Sequence, residues 1–282
     1  MDSVENAIEN PIFGRKVFCL NPIYSTREVI IPHLREQEFE VCVIEHYMDA
    51  KNVLKQFPDS ICFIDIDGQL EHEHWFSFIH SCQELCPTVL FGILTSHTNA
   101  KERFLLARTV SLPLGFILME ESLDGIHSII KDLLVRFGAK GRRQYVRASC
   151  TASSNASILI RTNNVAVELP LIDISLAGAA CILAEEYAKF FQIHLLFDDV
   201  TIRLHQKEIQ CDAVVYALAP YKNYCKVVLL FKGIISHSAK SAIHSYVAEV
   251  LQGQVNKIIL SNPKDLEDYT KKKKHDSEKN PT

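Results

Sequence analysis

The chain divides into an α/β region and an all-β region: a parallel sheet covered by helices, then an antiparallel barrel closed by a helix. Three observations carry that expectation. Between residues 15 and 137, short apolar runs alternate with helix-like stretches. After Gly138 the helices stop and strand-like segments follow one another. The chain has 282 residues, more than one hydrophobic core usually holds, which favours two domains.

The elements of the first half follow in order. "KVFCL" (16–20) is a short apolar strand, and "REVIIPHLREQ" is helix-like apart from Pro32, which is awkward in a helix interior. "FEVCVI" (39–44) is the second strand and "DAKNVLKQF" (49–57) the second helix, with Asp49 placed to cap it. "SICFID" (60–65), "VLFGILT" (89–95) and "GFILM" (115–119) supply three more strands. The last helix starts near Ser122, carries Ile126, Ile129, Ile130, Leu133, Leu134 and Phe137 at helical spacing, and stops at Gly138. Five apolar strands alternating with helices predict a parallel sheet buried on both faces.

In the second half, "ASILIR" (156–161) meets "VAVEL" (165–169) across Thr162-Asn163-Asn164, a hairpin turn whose asparagines tolerate positive φ. "VTIRLH" (200–205) alternates apolar and polar residues, as a strand with one wet face does. "IQCDAVVYAL" and "KVVLLF" follow, and "SAIHSYVAEVLQ" (241–252) is a closing helix with Ile243, Val247 and Val250 on one face before Gly253. Consecutive short strands before one helix predict an antiparallel barrel. The segment from Asn262 is charged and poor in apolar residues, so it is expected to be disordered. The domains predicted on this basis are 1–137, 138–261 and a charged tail 262–282.

Composition narrows the function classes. The net charge is −4 and 48% of residues are hydrophobic, which argues against coating nucleic acid or membrane by bulk electrostatics. The opening "MDSVENAIENP" is acidic and polar rather than signal-like, and no apolar run reaches the ~20 residues of a membrane span. Nine cysteines are dispersed without any C-x-x-C, with Cys19, Cys42 and Cys62 inside strand-like runs. That usage fits buried free thiols in a reducing cytoplasm rather than disulfides or structural zinc. "EHEHW" (71–75) offers His72 and His74 with no third ligand nearby, so it is expected to be a solvated loop. "KKKK" (271–274) lies among Asp265, Glu267, Asp268, Asp276 and Glu278, as a solubilising tail does. Trp75 and the tyrosines are scattered and make no stacking platform for single-stranded nucleic acid. No nucleophile elbow, phosphate loop or metal-binding carboxylate cluster is found, so no enzyme, metal or cofactor is expected.

Strand order and spacing over residues 15–137 resemble the receiver domain of bacterial response regulators, a flavodoxin-like fold. The resemblance places the phosphoacceptor aspartate of that family at Asp65, with Asp67 as the neighbouring alternative, and its hydroxyl residue at Thr95. Two other family features are missing. The place of the magnesium-binding acids reads Leu20-Asn21-Pro22, and the family lysine corresponds to Met119 or Glu120. A glutamate has the wrong sign for neutralising phosphoryl oxygens. The expectation is a receiver-shaped platform for a protein partner rather than a phosphoryl acceptor.

"GRRQYVRAS" (141–149) concentrates three arginines with no acid among them, after Lys140. Arg142, Arg143 and Arg147 form R-R-x-x-x-R, and "LIDISLAGAACIL" downstream carries Asp173, Ser175 and Gly178 as D-x-S-x-x-G. This pairing resembles the PilZ domain, the bacterial receptor module for cyclic di-GMP, over roughly residues 138–255. The resemblance implies a six-stranded barrel and cyclic di-GMP as ligand, held by Arg142, Arg143, Arg147, Asp173, Ser175 and Gly178. Guanidinium forks suit phosphate and the O6 and N7 edge of guanine. Asp173 suits guanine N1–H and N2–H, and Gly178 would let backbone turn or approach the ligand closely. Such a receptor changes its domain arrangement or its meeting with a protein partner, with motility or virulence among the family's outputs. The alternatives are a phosphorelay regulator acting through Asp65 and a nucleotide-independent scaffold.

Overall fold

The computed structural model describes residues 14–96, 110–120, 122–150, 155–162, 165–233 and 236–261. They form two compact units, one of residues up to Gln144 together with those from Gln252, the other Tyr145–Leu251.

In the first unit, β1 (Val17–Leu20), β2 (Val41–Ile44), β3 (Ile61–Asp65), β4 (Leu90–Thr95) and β5 (Phe116–Leu118) make one parallel sheet in the order β2-β1-β3-β4-β5. This is the flavodoxin-like order, in which the chain reverses direction across the sheet between β1 and β3. β1 and β3 are buried along their whole length, which explains their unbroken apolar runs.

A five-residue π-helical stretch, Thr26–Ile30, runs into α1 (Ile31–Glu36). Pro32 therefore lies inside one continuous helical run, since Ile30 and Ile31 keep helical φ and ψ, and the π-helical turn directly before it marks where that run departs from regular α-helix. The second helix, α2 (Tyr47–Gln56), begins after His46, which corrects the expectation for Asp49: it lies in the first turn rather than at the cap. There its carboxylate still suits the positive end of the helix dipole.

The segment at "EHEHW" is not a loop. It opens α3 (His72–Leu85), whose apolar face of Trp75, Phe78, Ile79 and Cys82 is buried. Trp75 meets Tyr47 and Phe78 edge-on, with ring centroids 6.0 and 5.7 Å apart. α4 (Leu123–Arg136) is capped as its sequence predicts: Ser122 Oγ accepts from the Gly125 N–H at 3.2 Å, and Gly138 leaves the helix with φ 73°.

The second unit is antiparallel. β6 (Ala148–Ser149), β7 (Ala156–Thr162), β8 (Val165–Ser175), β9 (Gly178–Leu183), β10 (Leu196–Leu204), β11 (Lys207–Tyr221) and β12 (Tyr224–Lys232) run in the order β6-β8-β7-β10-β11-β12-β9. β9 also returns to β8, closing six strands into a barrel, and β6 adds a two-residue rung beside β8. Thr162 faces Val165 across the expected hairpin, whose two turn residues lie outside the described residues. β11 outruns its sequence signal, and register shifts against β10 and β12 show bulges that let long strands coil around the core.

The closing helix α5 (His237–Leu260) is twice as long as expected and passes through Gly253 instead of stopping there. A Cβ at Gly253, half-buried in the helix, would meet nothing within 4 Å, so this glycine is not a terminus. The charged segment from Asn262 lies outside the described residues. None of the nine cysteines is in a disulfide, and burial pushes the Cys19 and Cys82 thiols up to about 12.

Candidate functional site

The carboxyl edge of the parallel sheet, between β1 and β3, is where this fold usually receives ligands. Asp65 ends β3 there with no exposed surface. Its carboxylate accepts from the Ile23 N–H at 3.3 Å and the Asp67 N–H at 3.1 Å. Burial outweighs those bonds and pushes the carboxyl up to about 6. Thr95 bonds Asp67. Its Oγ1 donates to Asp67 Oδ1 at 2.5 Å, and the Ser96 N–H donates to Asp67 Oδ2 at 2.6 Å.

Neutral amides stitch this edge together. Asn21, at φ 54°, donates from Nδ2 to the carbonyls of Asp65 at 3.1 Å and Gly68 at 3.3 Å. Gln69 Nε2 donates to Asn21 Oδ1 at 2.8 Å and to the Glu45 carbonyl at 2.6 Å, while Trp75 Nε1 donates to the Gly68 carbonyl at 3.0 Å. Asn21 thus stands where the receiver pattern has carboxylates, and it ties loops instead of offering charge. Sequence reasoning registered only the missing acids. The available signal was an Asn-Pro pair directly after a strand, since asparagine adopts positive φ more readily than most residues.

The barrel brings Arg147 of one polar motif to Asp173 of the other. Arg147 directly precedes β6, and β6 pairs with β8 so that Ala148 faces Ile174 and Ser149 faces Asp173. Arg147 Nη1 consequently lies 3.1 Å from Asp173 Oδ1, with side chains 39% and 15% exposed. The contact is an ion pair but not a hydrogen bond: Asp173 Oδ1 is buried with no donor aimed at it. Ser175 is fully buried and its Oγ donates to the Gly178 carbonyl at 3.3 Å, pinning the turn between β8 and β9. A Cβ at Gly178 would sit 2.1 Å from the Leu229 carbonyl oxygen. Glycine is therefore required for β9 to lie against β12, which differs from the ligand approach expected of it. Arg142 and Arg143 are exposed and fall in the first unit, as does Lys140, whose Nζ rests 4.8 Å over the Phe39 ring.

His72 and His74 sit in the first turn of α3, and no group of three His, Cys, Asp or Glu placed to hold a metal ion occurs among the described residues. No helix among them is long and apolar enough to cross a membrane.

The chain joins a five-stranded parallel α/β unit to a six-stranded antiparallel barrel with a basic pre-strand segment and an aspartate–serine–glycine turn. No family model matches it, and no curated protein does. Among solved structures it is similar to the complex of MrkH from K. pneumonia with c-di-GMP, at 20% identity and a TM-score of 0.38, over 41% of this chain and 55% of that one. It is similar to the PilZ domain of YcgR from Escherichia coli with c-di-GMP, at 18% identity and a TM-score of 0.35, over 41% and 96% of the two chains. It is also similar to the signal receiver domain of a LuxO repressor protein from Vibrio parahaemolyticus, at 13% identity and a TM-score of 0.37, over 44% and 93%. The matched part spans about half the length of the MrkH chains, 55% and 52%.

Proposed function

We propose that the chain is a non-enzymatic receptor for cyclic di-GMP, gripped by Arg142, Arg143 and Arg147 against Asp173, on a ledge shaped by Ser175 and Gly178. The observation that carries this reading is the Arg147–Asp173 pair, which joins a residue of each motif across the β6–β8 register. A guanidinium beside a carboxylate presents donors for phosphate or the guanine O6 and N7 edge next to an acceptor for guanine N1–H and N2–H. The buried, donor-free Asp173 Oδ1 adds to this, because an unsatisfied buried acceptor gains most when a ligand supplies its hydrogen bond. On this reading capture alters how the protein meets a protein partner, in the cytoplasm.

Calorimetry of the intact protein with cyclic di-GMP is the test. Arg147→Ala is expected to lose at least tenfold in affinity, about 1.4 kcal/mol or more. Unchanged binding in the variant would move the site elsewhere, and no heat from the unsubstituted protein would leave a nucleotide-independent scaffold. The phosphorelay alternative draws no support from Asp65, which has no exposed surface and no acid after β1 to share a metal with.

A further inference from the structure

The parallel sheet ends on β2, and side chains close its outer edge. β2 meets β1 through alternate peptide groups: the Val17 N–H donates to the Glu40 carbonyl and the Asn21 N–H to the Ile44 carbonyl, each at 2.9 Å. By the two-residue period of a strand, Val41 and Val43 turn their own peptide groups outward. Arg35 Nε donates to the Val41 carbonyl at 3.0 Å. Gln252, which lies in α5 and in the same compact unit as β2, takes both groups of Val43. Its Oε1 accepts from the Val43 N–H at 2.8 Å, and its Nε2 donates to the Val43 carbonyl at 2.8 Å. The second Nε2 proton goes to Asn256 Oδ1 at 3.1 Å, one turn further along α5.

An edge strand is a template for another chain, and proteins commonly blunt it with charge, proline or brevity. The opposite edge, β5, has only three residues. β2 reads "VCVI", with neither charge nor proline, so its protection comes from Arg35 and Gln252. The form of the Gln252 contact says what it excludes. One amide that accepts from and donates to the same residue repeats the closely spaced pair of an antiparallel ladder, whereas a parallel neighbour splits the two bonds between residues. An edge freed of Gln252 therefore asks for an antiparallel strand. A second β2 fits it: about a two-fold axis at Cys42, Val41 of each copy faces Val43 of the other, and the outward groups of both residues are answered. The Val41 carbonyl has two lone pairs, so Arg35 need not leave. The same register sets Glu40 opposite Ile44, so no like charges meet there.

We propose that Gln252 guards β2 against a second copy of this chain, the partner that this edge fits once the amide leaves. Gln252→Glu keeps the length of the side chain, but a carboxylate has no proton for the Val43 carbonyl and repels it. Sedimentation of the full chain should show self-association about tenfold tighter in this variant than in the unsubstituted protein. Val43→Pro removes the outward N–H and spares the ladder to β1, as proline on an edge strand does. Combined with Gln252→Glu, it should cancel the added association. Amide exchange by NMR reads the register: as the concentration of Gln252→Glu rises, the Val41 and Val43 N–H groups should gain protection together.

Self-association equal to that of the unsubstituted protein overturns the guard, as does a gain that survives Val43→Pro. A gain that leaves exchange at Val41 and Val43 unchanged places the contact elsewhere and overturns it equally. Should Gln252→Glu fail to fold, Gln252→Ala removes the same two bonds and is held to the same outcomes. Should the proline variant fail to fold, exchange at Val41 and Val43 decides alone.

Discussion

At the end of β3, Asp65 gains two backbone hydrogen bonds and loses all contact with water, and the loss dominates: its carboxyl is pushed up from 3.8 to about 6. Between those values the folded chain keeps a proton that the unfolded chain has released. Stability contributed by Asp65 is therefore full below about pH 4 and lost as pH rises through about 6, opposite to the usual carboxylate. The shift corresponds to roughly 2–3 kcal/mol. Denaturation of Asp65→Asn and the unsubstituted protein at pH 4.5 and 7.5 should show their difference moving in favour of the variant at the higher pH. A pH-independent difference would refute the assignment. Asp173 behaves differently: its Oδ1 is buried beside a partly exposed Arg147 without a hydrogen bond between them, so the pair contributes under ~1 kcal/mol. Asp173→Asn should leave the melting temperature nearly unchanged while weakening cyclic di-GMP about tenfold. Asp65 was legible because it ends an apolar strand-like run, and Asp173 because it opens D-x-S-x-x-G. What each carboxylate meets was not, since that depends on residues far along the chain, Ile23 for Asp65 and Arg147 for Asp173.

Elements that are buried on both faces, β1, β3 and β4, were legible almost to the residue, because nothing polar interrupts them. α3 was missed because its first turn, "HEHW", is charged, although Trp75, Phe78, Ile79 and Cys82 follow at helical spacing and signal the buried face. α5 was cut short at Gly253, where a glycine inside a helix costs ~1 kcal/mol relative to alanine without ending a helix that is packed elsewhere. The turn between β8 and β9 shows why a short motif does not reveal its own division of labour. Ser175 and Gly178 share the motif with Asp173, yet the hydroxyl holds the turn and the glycine serves strand packing. Gly178→Ala must part β9 from β12 at the Leu229 carbonyl, so the barrel should lose about 2–4 kcal/mol in chemical denaturation. Ser175→Ala removes one weak hydrogen bond and should cost about 1 kcal/mol. Equal effects for the two would mean that the close approach at Gly178 relaxes easily.

For the whole molecule, charge distribution sets how a dianionic ligand is met. With Lys140, Arg142, Arg143 and Arg147 set aside, the rest of the chain carries −8, so on the receptor reading the net charge of the remainder repels a dianion and the arginine segment attracts it. Salt acts on these two effects in opposite directions. Screening any diffuse repulsion favours binding, but long-range repulsion is largely screened beyond the ~10 Å Debye length at 0.1 M. On the receptor reading the attraction comes from guanidinium groups meeting phosphate or guanine, and the loss of such contact pairs to counter-ions outweighs the screened repulsion. Affinity should therefore fall as sodium chloride rises from 50 to 500 mM, and the slope should be shallower in Arg147→Ala, which has one cation fewer. Titrations across that range check both statements. Affinity that rises with salt would mean that the acidic remainder, not the arginine segment, governs the encounter.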